Sequence, residues 1–264
     1  MTPARRERVP PAVGVLAALG AAFFVLPLAG LVARAPWGDA LRELVAPETL
    51  EALRLSLIAS LSATAIALVL GVPLAWVYAR IEFPGRSVMR ALTTLPMVLP
   101  PVVGGIALLL AFGRRGLIGS WLDTALGITL PFTTAGAVMA ETFVAMPFLV
   151  LTVEAGLRSM DRRYEEAARA LGAGRWTVFS RVTIPLIAPS LLAGAALCWA
   201  RALGEFGATI TFAGNFPGTT QTMPLAVYLL LETNPEASFI LSLVLLCVSV
   251  VVLVGLRHRW LGSA

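Results

Sequence analysis

The sequence predicts an all-α integral membrane protein with about six transmembrane helices and one long polar loop. Hydrophobic residues make up 58% of the 264 residues and charged residues only 13%, and the mean hydropathy is +0.86. An average soluble domain has roughly 45–50% apolar and about 25% charged residues. The apolar residues also form long continuous runs. In lipid such runs indicate helices, because a helix satisfies its backbone hydrogen bonds internally.

Six apolar runs are each long enough to cross a hydrocarbon core of about 30 Å at about 1.5 Å per residue. They occupy residues 13–33, 53–79, 91–112, 135–153, 187–212 and 238–256. We therefore expect a single transmembrane domain over residues 1–264. The first run follows three arginines and precedes Ala33-Arg34-Ala35, a pattern that also resembles a signal peptide. The run is longer than the roughly 7–15 residues of a signal peptide's apolar core, which favours a retained helix.

The arginines are distributed unequally between the two sides of this topology. With six spans, both termini lie on one side, and that side collects 14 of the 20 arginines. They are Arg5, Arg6, Arg8, Arg80, Arg86, Arg90, Arg158, Arg162, Arg163, Arg169, Arg175, Arg181, Arg257 and Arg259. The opposite side collects Arg34, Arg42, Arg54, Arg114 and Arg115. The positive-inside rule therefore predicts a multi-pass membrane protein with both termini and the long polar loop in the cytoplasm. The basic balance follows from this topology and does not indicate nucleic-acid binding.

The reactive residue types argue against catalysis in this chain. Cys198 and Cys247 lie in apolar runs, where we expect buried packing residues rather than a disulfide or a metal site. The single histidine, His258, lies between Arg257 and Arg259, which suits a membrane-boundary anchor. We predict no metal site and no cofactor in this chain. The chain also contains no lysine, which excludes the Walker A loop of ATPases.

The polar interruption at residues 158–185 is the most informative segment. It reads RSMDRRYEEAARALGAGRWTVFSRVTIP and carries six arginines. Residues 161–171 are strong helix formers. Asp161 is the expected N-cap, and Glu165 and Glu166 lie near the positive end of the helix dipole. The pattern predicts a charged helix on the cytoplasmic face of the membrane.

A turn and a second helix complete the predicted loop. Gly172 and Gly174 suit a helix stop and a turn, and a short helix is expected at about 175–182, before Pro185. A small, close-packing surface would come from Ala167, Ala168 and Leu171. The residues alone leave two roles open. The loop could dock a partner protein, or it could be an interfacial helix whose arginines hold lipid headgroups.

The spacing within the loop resembles a known motif. Glu166-Ala167-Ala168, three residues, Gly172, nine residues and Val182-Thr183-Ile184-Pro185 are similar to the EAA motif of ABC-importer permeases. In that family the motif forms a coupling helix seated in a groove of a separate ATP-binding subunit. The resemblance implies that Glu166 meets a basic residue there, that the two alanines permit close approach and that the glycine allows the turn. The implied coupling residues are Glu165, Glu166, Ala167, Ala168, Arg169, Gly172 and Pro185.

Further segments resemble molybdate-type and sulfate-type permeases. They are LPMVLPPVVGG at 95–105, FVAMPFL at 143–149 and RALGEFGATITFAGN at 201–215, followed by PGTTQTMP at 217–224. The stretch from 201 resembles the molybdate type more than the sulfate type. The resemblance implies a homodimeric permease of the prokaryotic inner membrane that carries molybdate or tungstate. Its implied partners are two ATP-binding subunits, which use ATP and magnesium, and an extracytoplasmic oxyanion-binding protein. The alternative is a sulfate or thiosulfate permease, whose systems typically pair two distinct permeases.

Two segments are candidates for the translocation path. Arg201 and Glu205 are four residues apart and can pair on one helix face. Charges at this depth normally face a bundle interior or a water-filled cavity, so the pair either fixes helix packing or lines the path. Prolines bend the third run, which forms either a constriction or a static kink. The path or gate candidates are Thr94, Pro96, Pro100, Arg201, Glu205, Thr209 and Thr211.

Other functional classes find less support in the sequence. A secondary transporter needs ion-coupling carboxylates near the midplane and often internal repeats. Glu205 is the main candidate and Glu141 lies closer to the outer boundary, but the sequence shows no convincing repeat. A membrane enzyme would need a catalytic constellation, which we do not find. A purely structural membrane protein would leave the matched loop unexplained.

Overall fold

The computed structural model describes residues 10–261, and within them the chain forms fourteen α-helices and no strand. The helices are α1 Pro11–Arg34, α2 Ala40–Leu44, α3 Pro47–Arg80, α4 Arg86–Thr94, α5 Pro101–Phe112, α6 Gly119–Leu126, α7 Thr134–Ser159, α8 Arg163–Ala170, α9 Arg175–Val178, α10 Ile184–Leu186, α11 Ala188–Leu203, α12 Gly207–Phe212, α13 Met223–Thr233 and α14 Pro235–Leu261. A 3₁₀ turn at Leu95–Met97 follows α4, and a widened π turn at Phe179–Thr183 joins α9 to α10. The predicted all-α class is confirmed.

Four helices are long and apolar enough to cross a membrane by themselves, namely α1, α3, α7 and the Pro235–Val252 part of α14. Two further spans are bent pairs. Arg86–Met97 meets Pro101–Phe112 at 118°, and Arg175–Leu186 meets Ala188–Leu203 at 73°. Counting each pair as one span gives six. The Met223–Thr233 helix is apolar but shorter, and the sequence reasoning had not placed a helix there.

Local sequence explains where the long helices begin. Proline occupies the first turn of α1, α3 and α14, where its missing N–H would have had no helical partner. The hydroxyl of Thr133 accepts a 3.0 Å hydrogen bond from the backbone N–H of Gly136 and caps α7. Glu48 and Glu236 lie in the first turns of α3 and α14, where a carboxylate stabilises the positive end of the helix dipole.

The third apolar run is sharply bent rather than straight. Pro100 has an extended backbone with φ −54° and ψ 131°, as expected of a residue that precedes proline. Pro101 then starts α5, because a proline fits the first turn of a helix but not its interior. The predicted 91–112 span is therefore two arms that meet at these adjacent prolines.

The predicted 187–212 span is also interrupted. Its helix α11 ends at Leu203, and the chain turns through residues 204–206 before α12 begins at Gly207. Gly204 is a poor helix former. The carboxylate of Glu205 accepts a 2.9 Å hydrogen bond from the backbone N–H of Ala208, which starts the new helix. Capping of α12 by a buried carboxylate is the physical reason for the break.

The centre of the fold is formed by α3, α7 and α11, which pack through small residues. Along α3 these are Ala59, Ala63, Ala67, Gly71 and Ala75. A Cβ on Gly71 would lie 2.8 Å from the Leu149 side chain, so only glycine lets α3 and α7 approach this closely. Cys198 is buried in this core as expected, whereas Cys247 is exposed on α14 and the prediction of its burial was wrong. Cys247 lies on the outer side of α14, so its side chain faces away from the core of the chain. The side chain of His258 lies outside the described residues.

Candidate functional site

The first helix of the 158–185 loop is shorter than predicted and is defined by a side-chain turn and a glycine. The side chain of Asp161 accepts a 2.9 Å hydrogen bond from the backbone N–H of Arg163. The N-cap of α8 is Arg162, so the prediction of Asp161 as the N-cap was wrong by one residue. At the other end, Gly172 has φ +86°, the left-handed conformation that a helix stop requires. The N–H of Ala173 reaches back to the carbonyl oxygen of Ala168 at 3.0 Å.

The adjacent carboxylates Glu165 and Glu166 face opposite ways. Glu165 is buried: its Oε1 accepts a 2.7 Å hydrogen bond from the hydroxyl of Thr183, and its Oε2 lies 3.4 Å from Nε of Arg80. Glu166 is exposed. The sequence reasoning had placed both in the partner-facing set, and for Glu165 the structure corrects this. Its carboxylate fastens α8 to the end of α3 and to the π turn.

The outer face of the loop combines small and large exposed side chains. Among the predicted coupling residues, Glu166, Ala167, Arg169, Gly172 and Pro185 are exposed and Ala168 is half-buried. Leu171 is 89% exposed and Trp176 is 75% exposed. Sequence reasoning missed Trp176, although a tryptophan among arginines in a polar loop is a detectable signal. Large apolar side chains left open beside small ones are typical of a protein docking surface.

Aromatic stacking holds the second half of the loop in place. The Phe179 ring packs edge-to-face on Trp76 of α3, with centroids 6.2 Å apart, and lies 5.7 Å from the Trp176 ring. The π turn ends just before Pro185. Because proline has no N–H and its ring clashes with the carbonyl one turn back, the helix widens ahead of it. The predicted 175–182 helix is therefore a short α-helix followed by this wider turn.

The interruption between α11 and α12 contains the predicted charged pair. The Nη2 atom of Arg201 lies 2.6 Å from Oε2 of Glu205, so the expected pairing is present. The Arg201 side chain is 28% exposed and the Glu205 side chain only 1%. Glu205 therefore lies inside the fold, where Oε1 accepts the Ala208 hydrogen bond and Oε2 has only the ion-pair contact with Arg201. The Arg201 side chain remains partly exposed.

The threonines of α12 differ in their hydrogen bonding. The hydroxyl of Thr211 donates to the carbonyl of Gly207 at 2.7 Å, which is a local bond within the helix. Thr209 is fully buried, and its hydroxyl has no hydrogen-bond partner among residues 10–261. A buried hydroxyl without a partner costs free energy, so Thr209 is the more informative of the two.

The helices α5 and α12 touch through two glycines. A Cβ on Gly105 would lie 2.6 Å from Cβ of Thr211, and a Cβ on Gly207 would lie 2.8 Å from Cβ of Pro101. These contacts bring the bent third span directly against the interruption. The structure thus joins the two segments that the sequence nominated separately as path candidates.

The remaining predicted path residues lie at the bend. The hydroxyl of Thr94 donates to the carbonyl of Arg90 at 3.1 Å, which leaves it half-buried within its own helix turn. Pro96 is buried and Pro100 is exposed. Of the two adjacent prolines, Pro101 is the one that contacts Gly207 of α12.

Two buried carboxylates of α7 complete the inventory of charges. Glu141 is 1% exposed, and its Oε2 has no hydrogen-bond partner in the described part of the chain. Glu154, which sequence reasoning missed, is paired with Arg158 at 2.8 Å and with Arg90 of α4 at 3.2 Å. The Glu154–Arg158 spacing of four residues was a signal for one of these contacts. Among residues 10–261, no three His, Cys, Asp or Glu side chains form a group that could hold a metal ion.

The chain is similar to known transport proteins over most of its length. A family model described as "Binding-protein-dependent transport system inner membrane component" matches residues 67–262. The "Molybdenum transport system permease protein ModB" of Mycobacterium tuberculosis strain H37Rv is 46% identical over 242 residues, which cover 91% of this chain and 90% of that protein. The protein of the same name from Escherichia coli K12 is 42% identical over 212 residues, 80% of this chain and 93% of its own length. The "Sulfate transport system permease protein CysT" of Escherichia coli K12 is 37% identical over 226 residues, 84% of this chain and 81% of its own.

Two solved structures share the fold at low sequence identity. A bacterial ABC transporter involved in the import of alginate matches with a TM-score of 0.75 and 17% identity, covering 94% of each chain. The MetNI methionine ABC transporter, in an inward-facing conformation, matches with a TM-score of 0.60 and 16% identity, covering 85% of this chain and 98% of its own. At these identities the matches bear on the fold alone.

Proposed function

This chain belongs to the family of binding-protein-dependent transport system inner membrane components, and from this premise we propose that it is the permease subunit of an ATP-driven importer carrying molybdate or tungstate into the cytoplasm. The substrate assignment rests on the difference in sequence identity between the relatives. The two relatives described above that are named for molybdenum transport are 46% and 42% identical to this chain, against 37% for the one named for sulfate transport.

The proposed assembly contains two copies of this chain and two ATP-binding subunits, which use ATP and magnesium. The absence of lysine supports a separate ATPase, because a Walker A loop needs one. An extracytoplasmic binding protein would deliver the oxyanion. The solved alginate transporter in complex with a substrate-bound periplasmic protein is a precedent for such delivery on this fold.

The 158–185 loop is the proposed docking element for the ATPase, with both termini and the loop in the cytoplasm. Its exposed face, with Glu166, Ala167 and Gly172 beside Leu171 and Trp176, offers a charge, room for close approach and apolar contact area. Glu165 acts from behind this face. Because it ties α8 to α3, movement of the docked loop would be transmitted to a helix of the core.

The proposed path runs beside the Arg201–Glu205 pair, where α12 meets the bent third span. Moving a dianion through hydrocarbon would cost tens of kcal/mol, so a wet, protein-lined route is required. The partly exposed Arg201 side chain would attract the anion, and Glu205 would keep that attraction weak enough for release. Thr209 and Thr211 of α12 and Thr94, Pro96 and Pro100 of the third span are the further candidates for lining or gating this route.

Uptake of radiolabelled molybdate tests this function. Cells that lack their own transporter would receive this chain with its neighbouring ATPase and binding protein. Glu166→Arg should abolish uptake, because it reverses the charge presented to the ATPase. Glu232→Arg, which reverses an exposed charge on α13 far along the chain from the loop, is the matched control and should transport normally. Equal membrane levels of all three proteins would be verified by immunoblotting.

Sulfate is the second candidate substrate, because one relative is named for its transport. Excess unlabelled sulfate in the same assay separates the two. Molybdate uptake that is unaffected by sulfate supports the proposal. If sulfate blocks the uptake, the substrate assignment changes to sulfate. If uptake survives Glu166→Arg, the docking role of the loop is contradicted.

A further inference from the structure

Four arginines surround a polar cavity at the end of the core helices. The cavity has a volume of about 460 Å³. Its charged lining residues are Arg80, Arg86, Arg158, Arg162 and Glu82. The α3 helix ends at Arg80 and the α7 helix at Ser159, so the cavity lies where two apolar spans leave the membrane. We call it the arginine cavity.

Backbone contacts hold two of these guanidinium groups in position. Arg158 donates to the carbonyl oxygen of Tyr78 and Arg162 to that of Ala79, each at 3.4 Å. Both carbonyls belong to the last turn of α3, whose negative dipole end favours cations. A guanidinium has five N–H donors. Each arginine therefore keeps several donors for a ligand after making these contacts.

The cavity retains positive charge after its ion pairs are counted. Arg80 pairs with Glu165, and Arg158 shares Glu154 with Arg90. Among the described residues, Arg86 and Arg162 form no ion pair. Four arginines thus line the cavity with one carboxylate, Glu82, and two of the four are paired with Glu154 and Glu165 from outside the lining. The remaining charge suits an anion.

A large apolar groove lies next to the arginine cavity. It has a volume of about 820 Å³, and its apolar lining is Pro73, Trp76, Val77, Trp176, Val178 and Phe179. A third cavity of about 190 Å³ lies between them. It shares Trp76 with the groove and both Arg80 and Arg162 with the arginine cavity. The surface therefore passes from apolar to cationic around the last turns of α3.

We propose that this combined surface binds an anionic phospholipid, with its phosphate at Arg86 and Arg162 and an acyl chain along the apolar groove. Arginine forks match phosphate oxygens in a bidentate way, and basic pockets at the cytoplasmic ends of transmembrane helices bind anionic headgroups. A free oxyanion would occupy only the arginine cavity and leave the groove empty. Assignment to the cytoplasmic leaflet rests on the proposed orientation of the chain.

A bound lipid at this place would support the 158–185 loop. The groove is lined by both α3 and the aromatic half of the loop, and the Glu165–Arg80 contact lies between the groove and the arginine cavity. A lipid would therefore contact the parts that hold the loop against the core. We expect anionic lipid to raise the thermal stability of the chain more than zwitterionic lipid does.

Native mass spectrometry of the full-length chain in detergent tests the site. Phosphatidylglycerol and phosphatidylcholine with the same acyl chains would be titrated into wild type, Arg86→Gln/Arg162→Gln and Arg163→Gln/Arg181→Gln. The last variant loses the same charge from exposed residues that line none of the three cavities. We expect wild type and this control to retain phosphatidylglycerol, and the Arg86/Arg162 variant to bind it roughly tenfold more weakly or worse. Thermal unfolding of each variant establishes that it is folded.

Competition distinguishes the lipid from other anions. Glycerol 3-phosphate, inorganic phosphate and molybdate carry the charge without acyl chains and should displace phosphatidylglycerol only at far higher concentration. Displacement by any of them at concentrations similar to the lipid would overturn the proposal in favour of a free oxyanion site. Equal lipid retention by all three proteins would also overturn it. So would retained lipid with lost binding of the ATPase subunit in the Arg86/Arg162 variant, since that would place these arginines in the subunit interface. The lipid measurement follows neither molybdate transport nor ATP hydrolysis, so its failure and a failure of the proposed transport function are separate results.

Discussion

The hydroxyl of Thr183 donates a 2.7 Å hydrogen bond to Oε1 of Glu165, and this buried contact joins the two ends of the 158–185 loop. The same carboxylate lies 3.4 Å from Nε of Arg80, at the last residue of α3. One side chain therefore links both halves of the loop to a core helix. These contacts fix the loop to α3, and Glu166, the neighbour of Glu165, stays exposed.

The buried position of Glu165 predicts a large loss of stability on its removal. Glu165→Ala would leave Arg80, whose side chain is only 8% exposed, without a carboxylate partner. Breaking one side of a buried ion pair costs about 3–5 kcal/mol, and we expect about 3 kcal/mol here. Thermal unfolding followed by tryptophan fluorescence measures the effect. Glu166→Ala, at an exposed position, should change stability by less than about 0.5 kcal/mol. Equal melting temperatures for the two variants would contradict this assignment.

The Arg201–Glu205 pair predicts a measurable coupling between two substitutions. Arg201→Met leaves the Glu205 carboxylate buried with only the Ala208 N–H as partner, at a cost of about 3 kcal/mol. Adding Glu205→Gln removes the stranded charge but keeps an oxygen for Ala208. The double variant should therefore recover at least about 1 kcal/mol relative to Arg201→Met alone. Unfolding free energies of the two single variants and the double variant form the test. Strictly additive losses would mean that the 2.6 Å pair contributes no net attraction.

The sequence was sufficient to predict the six long apolar spans but not the breaks within them. Long apolar runs locate the spans because a membrane helix must be continuous and apolar to cover about 30 Å. The adjacent prolines at 100 and 101 indicated a bend, although not one of 118°. The break after Leu203 depends on the Glu205 carboxylate, which accepts a hydrogen bond from the backbone N–H of Ala208. That contact is not visible as a change in hydropathy.

The sequence alone could not show that Glu165 is buried while Glu166 is exposed. Glu165 and Glu166 are adjacent and chemically alike, and their roles are decided by contacts with Arg80 and Thr183, which are 85 and 18 residues away. The spacing of the EAA-like motif pointed to Glu166 without showing what its neighbour does. Glu154 was missed for the same reason, since its partner Arg90 lies on another helix. Pairs at four-residue spacing, such as Arg201–Glu205 and Glu154–Arg158, are the contacts that the local sequence can signal.

The contact of α5 with α12 predicts that a single methyl group at Gly105 is harmful. A Cβ there would lie 2.6 Å from Cβ of Thr211 and 3.0 Å from the carbonyl oxygen of Ala208, so one helix must move. Overpacking of this kind costs about 1–3 kcal/mol, and the displaced α12 should also lower molybdate uptake. Gly14→Ala is the matched control, because a Cβ at Gly14 of α1 meets nothing within 4 Å. That variant should be neutral or slightly more stable, since alanine is the better helix former by about 1 kcal/mol. Equal behaviour of the two alanine variants would show that the close approach does not constrain the chain.

The exposure of its partners predicts that Glu154 matters less for stability than Glu165. Glu154 is buried between Arg90 and Arg158, but those side chains are 40% and 44% exposed. After Glu154→Ala both guanidinium groups can be hydrated, whereas Arg80 cannot after Glu165→Ala. We therefore expect Glu154→Ala to cost about 1–2 kcal/mol, between the values for exposed and buried pairs. Raising the salt concentration should shrink the difference between wild type and Glu154→Ala, because half-exposed pairs are screened, and should leave the Glu165→Ala difference nearly unchanged. Melting temperatures of the three proteins at low and high salt measure both effects, and a salt-independent loss at Glu154 would show that hydration does not replace its carboxylate.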